Sequence, residues 1–450
     1  MENLNPKYNV PGPRYTSYPT VPYWDSTFDQ PIWEKTFTAS YSENKNEGVS
    51  VYIHLPFCES MCTFCGCHKR ITKNHKLEHL YVQTVLKEWA LYCKLFEEKP
   101  LVREIHIGGG TPTFFSSKNL EDLINGILSI SRKSPDCEMS FEGHPNNTTR
   151  EHLEKLYNLG FRRVSFGVQD YSEKVQQAIN RIQPYQNVAK VTMLAREIGY
   201  TSISHDIIFG LPFQGVEDIV DTIEKTKTLA PDRIAFYSYA HVPWIKGNGQ
   251  RGFKEEDIPS GEEKRILYEI GKKLLQLYGY EEIGMDHFAL RSDHLYVASE
   301  TGKLNRSFMG YTTTPTKVLI GLGISAIGDC WNGFAQNVKD LEDYHQLVEW
   351  GQLPLFKGHI LTEEDLIIRQ HIQNLMCRFE TSWNGNLYFT EIHAVIYALR
   401  EMQQDGLLII AGNSLKVTAA GKAFIRNICM AFDLRMKHDA PEKQLFSMTV

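Results

Sequence analysis

A chain of 450 residues, 42% hydrophobic and 23% charged, can bury a large core and accommodates one big domain with smaller attachments. Its formal charge of −6 argues against a non-specific nucleic-acid binder but leaves an anionic substrate open, because local cations matter more than the total. The opening MENLNPKYNV has no apolar run behind a basic start, and no stretch reaches the length of a membrane span, so the expectation is a cytoplasmic protein.

Residues 1–47 read as an N-terminal arm leading to a strand at Val49–Leu55. A cysteine-rich loop follows, then a helical stretch over 75–97 with Leu77, Tyr81, Val85, Trp89 and Tyr92 at helical spacing. Strand-like runs come next at Glu104–Ile107, Glu138–Phe141, Arg163–Val168, Ser202–Phe209 and Arg233–Tyr239. Helix-like segments separate them; one carries Val216, Ile219, Val220 and Ile223 on a single face. Six β–α repeats within 48–355 predict an α/β fold with a parallel sheet, either doubly wound or curled into a full or partial barrel. In both shapes ligands sit at the C-terminal ends of the strands. The cysteine loop, Gly108–Thr111, Glu142, Gln169 and Asp206 all fall there, which predicts a single site.

From 356 to 450 the texture changes. Thr362, with Asp365 three residues on, predicts a capped helix. DGLLII and SLKVT read as short strands around Gly412-Asn413, ahead of a helix over Ala420–Met430. Helices followed by a small hairpin resemble a winged-helix module, but no basic stripe accompanies them, so a covering or docking role is expected rather than DNA binding.

Four of the nine cysteines crowd into FCESMCTFCGCHK, as CxxxCxxCxC: Cys58, Cys62, Cys65 and Cys67. In a reducing compartment such a cluster points to metal or redox chemistry, and the scattered Cys93, Cys137, Cys330, Cys377 and Cys429 read as small buried hydrophobes. Structural zinc is the alternative, yet zinc sites generally use two knuckles a dozen or more residues apart, and no second knuckle follows. Three thiolates on three irons of a cube, with the fourth iron open, suits one short loop better. GGGTP at Gly108–Pro112 follows a strand and lets the backbone approach a ligand closely.

CxxxCxxC directly after a strand, with a glycine run downstream, resembles the radical S-adenosylmethionine (SAM) superfamily. Further stretches narrow the likeness: PGPRYTSYPT at 11–20, YIHLPFC at 52–58, SFGVQD at 165–170, NRIQ at 180–183, DIIFGLP at 206–212, YAHVP at 239–243, GMDHF at 284–288, GYTT at 310–313 and RNICMAFD at 426–433. Together they run nearly end to end and resemble the oxygen-independent coproporphyrinogen III oxidase family. That resemblance implies a partial (β/α)6-type barrel with an N-terminal arm and a mainly helical, winged-helix-like C-terminal domain. The reaction it implies is oxidative decarboxylation of two propionates of coproporphyrinogen III to vinyl groups, giving protoporphyrinogen IX. It calls for a 4Fe–4S cluster, two SAM molecules, and an electron donor and acceptor that the sequence does not name; a monomer is the expected state.

Carried over residue by residue, the resemblance implies that Cys58, Cys62 and Cys65 ligate the cluster. Tyr52, Phe64, Gly109, Gly110, Thr111, Glu142, Gln169, Arg181, Asp206, Ala240 and Ile327 are the implied SAM contacts. Cys67 matches the family's extra cysteine and is the candidate catalytic thiol, and Arg14 is the candidate substrate contact. His54, His241 and His287 lie in matched motifs, and a core role is expected for each. Two places depart from the pattern: Gly143 and His144 after Glu142, and the stretch Gly328–Gly333. A haem-inserting relative lacks the arm and the extra cysteine. A DNA-associated regulator does not fit the net charge.

Overall fold

The computed structural model describes residues 4–25, 28–244, 249–250, 252–439 and 443–449. Six strands pair in sequence order and all in parallel: β1 (Val49–Leu55), β2 (Leu101–Gly109), β3 (Arg132–Gly143), β4 (Arg163–Gln169), β5 (Ser202–Phe209) and β6 (Arg233–Ser238). Beyond β6 lie two antiparallel strands, β7 (Tyr280–Gly284) and β8 (His287–Leu290), with β8 inside. On the other side β9 (Val318–Leu322) runs parallel to β1, a strand the repeat pattern did not reveal. Antiparallel β10 (Ile327–Asp329), β11 (Gly333–Asn337) and β12 (Leu355–Ile360) extend that edge. The order is β12-β11-β10-β9-β1-β2-β3-β4-β5-β6-β8-β7, so the sheet has two free ends. Strand β12 carries it past residue 355, the expected edge of the catalytic segment.

Parallel strands usually bury both faces in apolar packing. Here one face is polar. Val51, Ile53, Ile105, Ile107, Met139, Phe141, Val164, Phe166 and Ile203 point outward into one core with Trp89 and Leu120 from the covering helices. The alternate positions, among them Tyr52, His106, Ser140, Ser165, Asp206 and Tyr237, line interior cavities instead. A buried polar face is stable only where it surrounds solvent or ligand, and the sheet accordingly curls into a partial barrel. The hairpin of Asn305–Ser307 and Gly310–Thr312 plugs its lower end, where Thr312 and Ser50 both donate to the buried Glu104 carboxylate at 3.0 and 2.9 Å.

Helix Leu77–Cys93 buries Tyr81, Val85, Trp89 and Tyr92, as their spacing predicts. In the C-terminal region Thr362 and Asp365 cap helix Glu363–Arg378 reciprocally. The two expected strands form, at Leu408–Ala411 and Ser414–Val417, and Glu380–Ser382 joins them as a third. The helix expected over Ala420–Met430 is divided into a tight 3-10 turn at Gly421–Phe424 and an α-helix at Ile425–Met430. Tyr15 and Tyr18 of the arm pack into this region's core with Ile372, Ile428 and Phe432. Just before them the arm pairs with the far end of the chain: Gly12 N donates to Ser447 O at 3.0 Å and Thr449 N to Val10 O at 2.9 Å. Among the described residues no helix is long and apolar enough to cross a membrane.

Candidate functional site

Strand β1 ends at Leu55, and the β1–β2 pairing continues upward through Gly110 N to Leu55 O (2.8 Å) and Thr111 N to Phe57 O (3.1 Å). This fixes the start of the cysteine loop against the glycine run. Cys58 Sγ lies 3.2 Å from Thr111 Oγ1. The loop is then tied on its other side, by Thr63 N to Ile179 O at 3.0 Å and by Asn180 Nδ2 to Met61 O at 2.8 Å. Lys69 Nζ donates to the carbonyls of Cys65 and Cys67 at 3.1 and 3.3 Å, and Thr72 N to Cys58 O at 2.9 Å.

A cavity of about 460 Å³ opens beside this loop. Cys58, Cys62, Phe64, Cys65, Cys67, Gly109, Gly110, Thr111, Glu142, Gln169, Arg181 and Asp206 all line it, twelve of the residues singled out in the sequence. Tyr52 and Ile327 lie outside it, on an adjoining chamber of about 710 Å³ that shares Cys67, Lys69, Gly109 and Glu142. Ala240 lines neither; it joins the loop indirectly, since Gln250 Nε2 donates to both Ala240 O and Phe64 O. Arg14 stands apart, in a separate cleft with Arg265 and Arg426, its guanidinium on Asp286 (2.5 Å) and Ser238 O (3.0 Å).

Side-chain chemistry differs sharply around the cavity. Burial pushes the Cys58 thiol up to about 11. Cys65 is drawn down to about 6, chiefly by the Cys67 thiol facing it, while Cys67 is raised by the same contact. Burial also pushes the Asp206 carboxyl up to about 7, although Ser165 Oγ donates to it at 2.9 Å. Glu142 Oε2 accepts from Gly109 N at 3.2 Å. Its other oxygen is 3.5 Å from His106 Nε2, and His106 Nδ1 is 2.8 Å from Ser140 Oγ. Arg181 donates to Gly167 O at 3.0 Å and lies 3.7 Å from Cys62 Sγ. His54 is buried and held down at about 4 by that burial, its Nε2 2.9 Å from His68 O, and it also borders the chamber that holds Tyr52.

Both departures from the family pattern have local reasons. A Cβ at Gly143 would sit 2.9 Å from the Phe166 ring, so the position is sterically tight, and His144 lines the cavity. Between Gly328 and Gly333 the chain makes the end of the β10–β11 hairpin, with Arg369 over the Trp331 ring at 4.3 Å and bonded to Trp331 O. That turn leaves Ile327 facing the chamber. Sequence reasoning missed His106, Lys69 and Lys339. Only Lys69, two residues past Cys67, carried a positional signal.

All nine cysteines are free. Among the described residues no three His, Cys, Asp or Glu side chains converge on a point suited to one metal ion. The three thiols nonetheless share one cavity wall, and Gly110 leaves room beside them: a Cβ there would fall 3.0 Å from Cys58 Sγ. This donor set and its cradle fit an iron–sulfur cube with space above it.

The radical SAM superfamily model matches residues 52–226. Oxygen-independent coproporphyrinogen III oxidase from Helicobacter pylori is 36% identical over 96% of this chain and 96% of its own. The chain belongs to the oxygen-independent coproporphyrinogen III oxidase family. The Escherichia coli enzyme of that name is 37% identical over 97% of the chain and 96% of its own length. The solved structure of coproporphyrinogen III oxidase (HemN) from Escherichia coli, described as a radical SAM enzyme, superposes with a TM-score of 0.88 at 35% identity, covering 94% of this chain and 97% of its own. Like other members of the oxidase family, this one is a radical SAM enzyme that works with a 4Fe–4S cluster and SAM.

Proposed function

We propose that the chain decarboxylates two propionate side chains of coproporphyrinogen III to vinyl groups, yielding protoporphyrinogen IX for haem biosynthesis. One observation carries this reading: a cysteine loop and residues of four neighbouring strands, Gly109, Glu142, Gln169 and Asp206, share one cavity in a chain matched nearly end to end by coproporphyrinogen III oxidases. Cys58, Cys62 and Cys65 hold the 4Fe–4S cluster. Bound there, cluster and SAM would supply a 5′-deoxyadenosyl radical for hydrogen abstraction from the propionate β-carbon.

The protein's own groups bind and orient. Glu142, steadied by Gly109 N, accepts from amino or ribose hydroxyl groups of a SAM molecule, and Asp206 does so beside it. Arg181 faces a carboxylate, with Thr111, Gln169, Gly110 and Phe64 completing that wall. Tyr52 and Ile327 serve the adjoining chamber, so the two SAM molecules and the porphyrinogen are divided between the two spaces. Ala240 acts through its backbone. Cys67, on the shared wall, acts beside the SAM sulfur or the substrate. Arg14 meets a substrate carboxylate at the rim only by exchanging it for Asp286. We place the enzyme in the cytoplasm as a monomer of three parts, 1–47, 48–355 and 356–450, served by an electron donor and an acceptor of unassigned identity.

The test is anaerobic turnover of cluster-reconstituted protein with SAM, with and without coproporphyrinogen III. Protoporphyrinogen and 5′-deoxyadenosine are both expected. SAM cleavage with no tetrapyrrole decarboxylation would sink the substrate assignment and leave the radical chemistry standing.

A further inference from the structure

We propose that Lys69 and Lys339 bind the carboxylates of the tetrapyrrole that the reaction keeps. The proposal rests on the reading above and adds the residues that hold the substrate. The 710 Å³ chamber falls in the usual range for a small-molecule site and opens directly onto the cluster cavity through Cys67 and Gly109. Tyr52 and His106, stacked with their ring centroids 6.0 Å apart, line it together with Phe308 and Met309, which gives a large macrocycle flat contact.

Two ammonium groups stand on the chamber lining. Lys69 spends two of its three donors on the carbonyls of Cys65 and Cys67, which fixes its position and leaves one for a ligand. Lys339 is brought to the same rim by the 2.8 Å bond between His68 Nε2 and Lys339 O. Neither lysine has a carboxylate at ion-pair distance among the described residues, whereas Arg70, the next basic residue in the loop, is paired with Glu342 at 3.1 Å. Glu142 is the one carboxylate on this lining among the described residues, and it is already engaged by Gly109. The chamber thus offers more positive than negative charge in a protein that is net negative.

The reaction decides which carboxylates these cations hold. Two of the four carboxylates leave as neutral carbon dioxide, and the two carbons behind each remain as a vinyl group. A lysine paired to one of those would hold back the departing group, because the ion pair must be given up as the charge disappears. Pairing with the two retained propionates carries no such penalty and keeps the half-processed molecule bound between the first and second decarboxylation. Lysine's flexible stem lets the ring shift to present its second propionate without release.

Anaerobic, cluster-reconstituted holoenzyme carrying Lys339→Met or Lys69→Met tests this. Each variant is expected to raise KM for coproporphyrinogen III about three- to tenfold. More of the three-carboxylate intermediate should escape into solution, while SAM affinity of Lys339→Met, measured by equilibrium dialysis, stays at the wild-type level. Lys339→Arg is expected to restore most of the loss, and added salt to weaken wild-type binding more than that of either Met variant. If Lys69→Met fails to hold its cluster, Lys339 decides, since its side chain makes no bond to the loop. Unchanged KM and unchanged intermediate release in Lys339→Met overturn the proposal. Wild-type enzyme that makes no protoporphyrinogen overturns the functional reading beneath it instead.

Discussion

Replacing Gly110 by alanine perturbs the seat of the cysteine loop without removing a ligand. The added Cβ would sit 2.5 Å from Pro56 O, 2.6 Å from Pro56 C and 3.0 Å from Cys58 Sγ. These are backbone atoms and a buried thiol, so no flexible side chain can absorb the clash. Pro56 O also accepts from Arg70 N at 2.8 Å, and moving it strains that bond. Overpacking costs about 1–3 kcal/mol, and a lost hydrogen bond adds about 1 kcal/mol. A total of about 2–4 kcal/mol is within the 5–15 kcal/mol margin of a typical fold, so the chain stays folded with a displaced loop. Gly108→Ala is the control: the nearest atoms to its Cβ belong to the Glu142 carboxyl, at 2.9 Å and beyond, and that side chain can swing aside. Iron and sulfide per chain after reconstitution, the thermal midpoint and SAM affinity should be measured for both. Gly110→Ala is expected to lose half or more of its iron; Gly108→Ala should keep it and bind SAM about tenfold more weakly, the worth of one charge-assisted contact. Full iron and an unchanged midpoint in Gly110→Ala would refute the steric argument.

Other expectations follow from single contacts. Cys62→Ala should release no 5′-deoxyadenosine after reconstitution, and a normal rate would remove it from the ligand set. Asp206 is raised from an ordinary 3.8 to about 7 by burial, so the folded chain keeps a proton that the unfolded chain gives up. Its contribution to stability is therefore lost as pH climbs from about 4 through 7. Asp206→Asn should gain thermal midpoint relative to wild type between pH 5 and 8, and parallel curves would contradict this. Arg426 is buried and donates to the carbonyls of Pro13 and Met448, both at 3.0 Å. Arg426→Met leaves those acceptors without a donor, at about 1–3 kcal/mol, and should make the arm the first target of limited proteolysis. Cleavage beginning elsewhere counts against it.

The strands of the barrel were legible because apolar runs and intervening helices repeat locally; β1 and β5 begin and end where the apolar pattern does. The cysteine loop was legible because its spacing lies within ten residues. Strand β9 was not, since a five-residue apolar run gives no sign that its partner lies more than 260 residues earlier. Lys339 escaped notice for a similar reason: what brings it to Lys69 is one backbone bond across the fold. Arg14 shows the converse. Its motif was plain, but its counter-ion Asp286 comes from the distant β7–β8 turn, and only that pairing fixes where the guanidinium sits.

The pairing of Val10 and Gly12 with Ser447–Thr449 imposes an order on assembly. A ribosome delivers the arm well before its partner, 439 residues further on, at about 5–20 residues per second. For most of synthesis the arm is without its clasp, while the barrel's parallel strands are already present to fold. A product cut short before Ser447 keeps every cysteine, yet leaves the arm untied at that end.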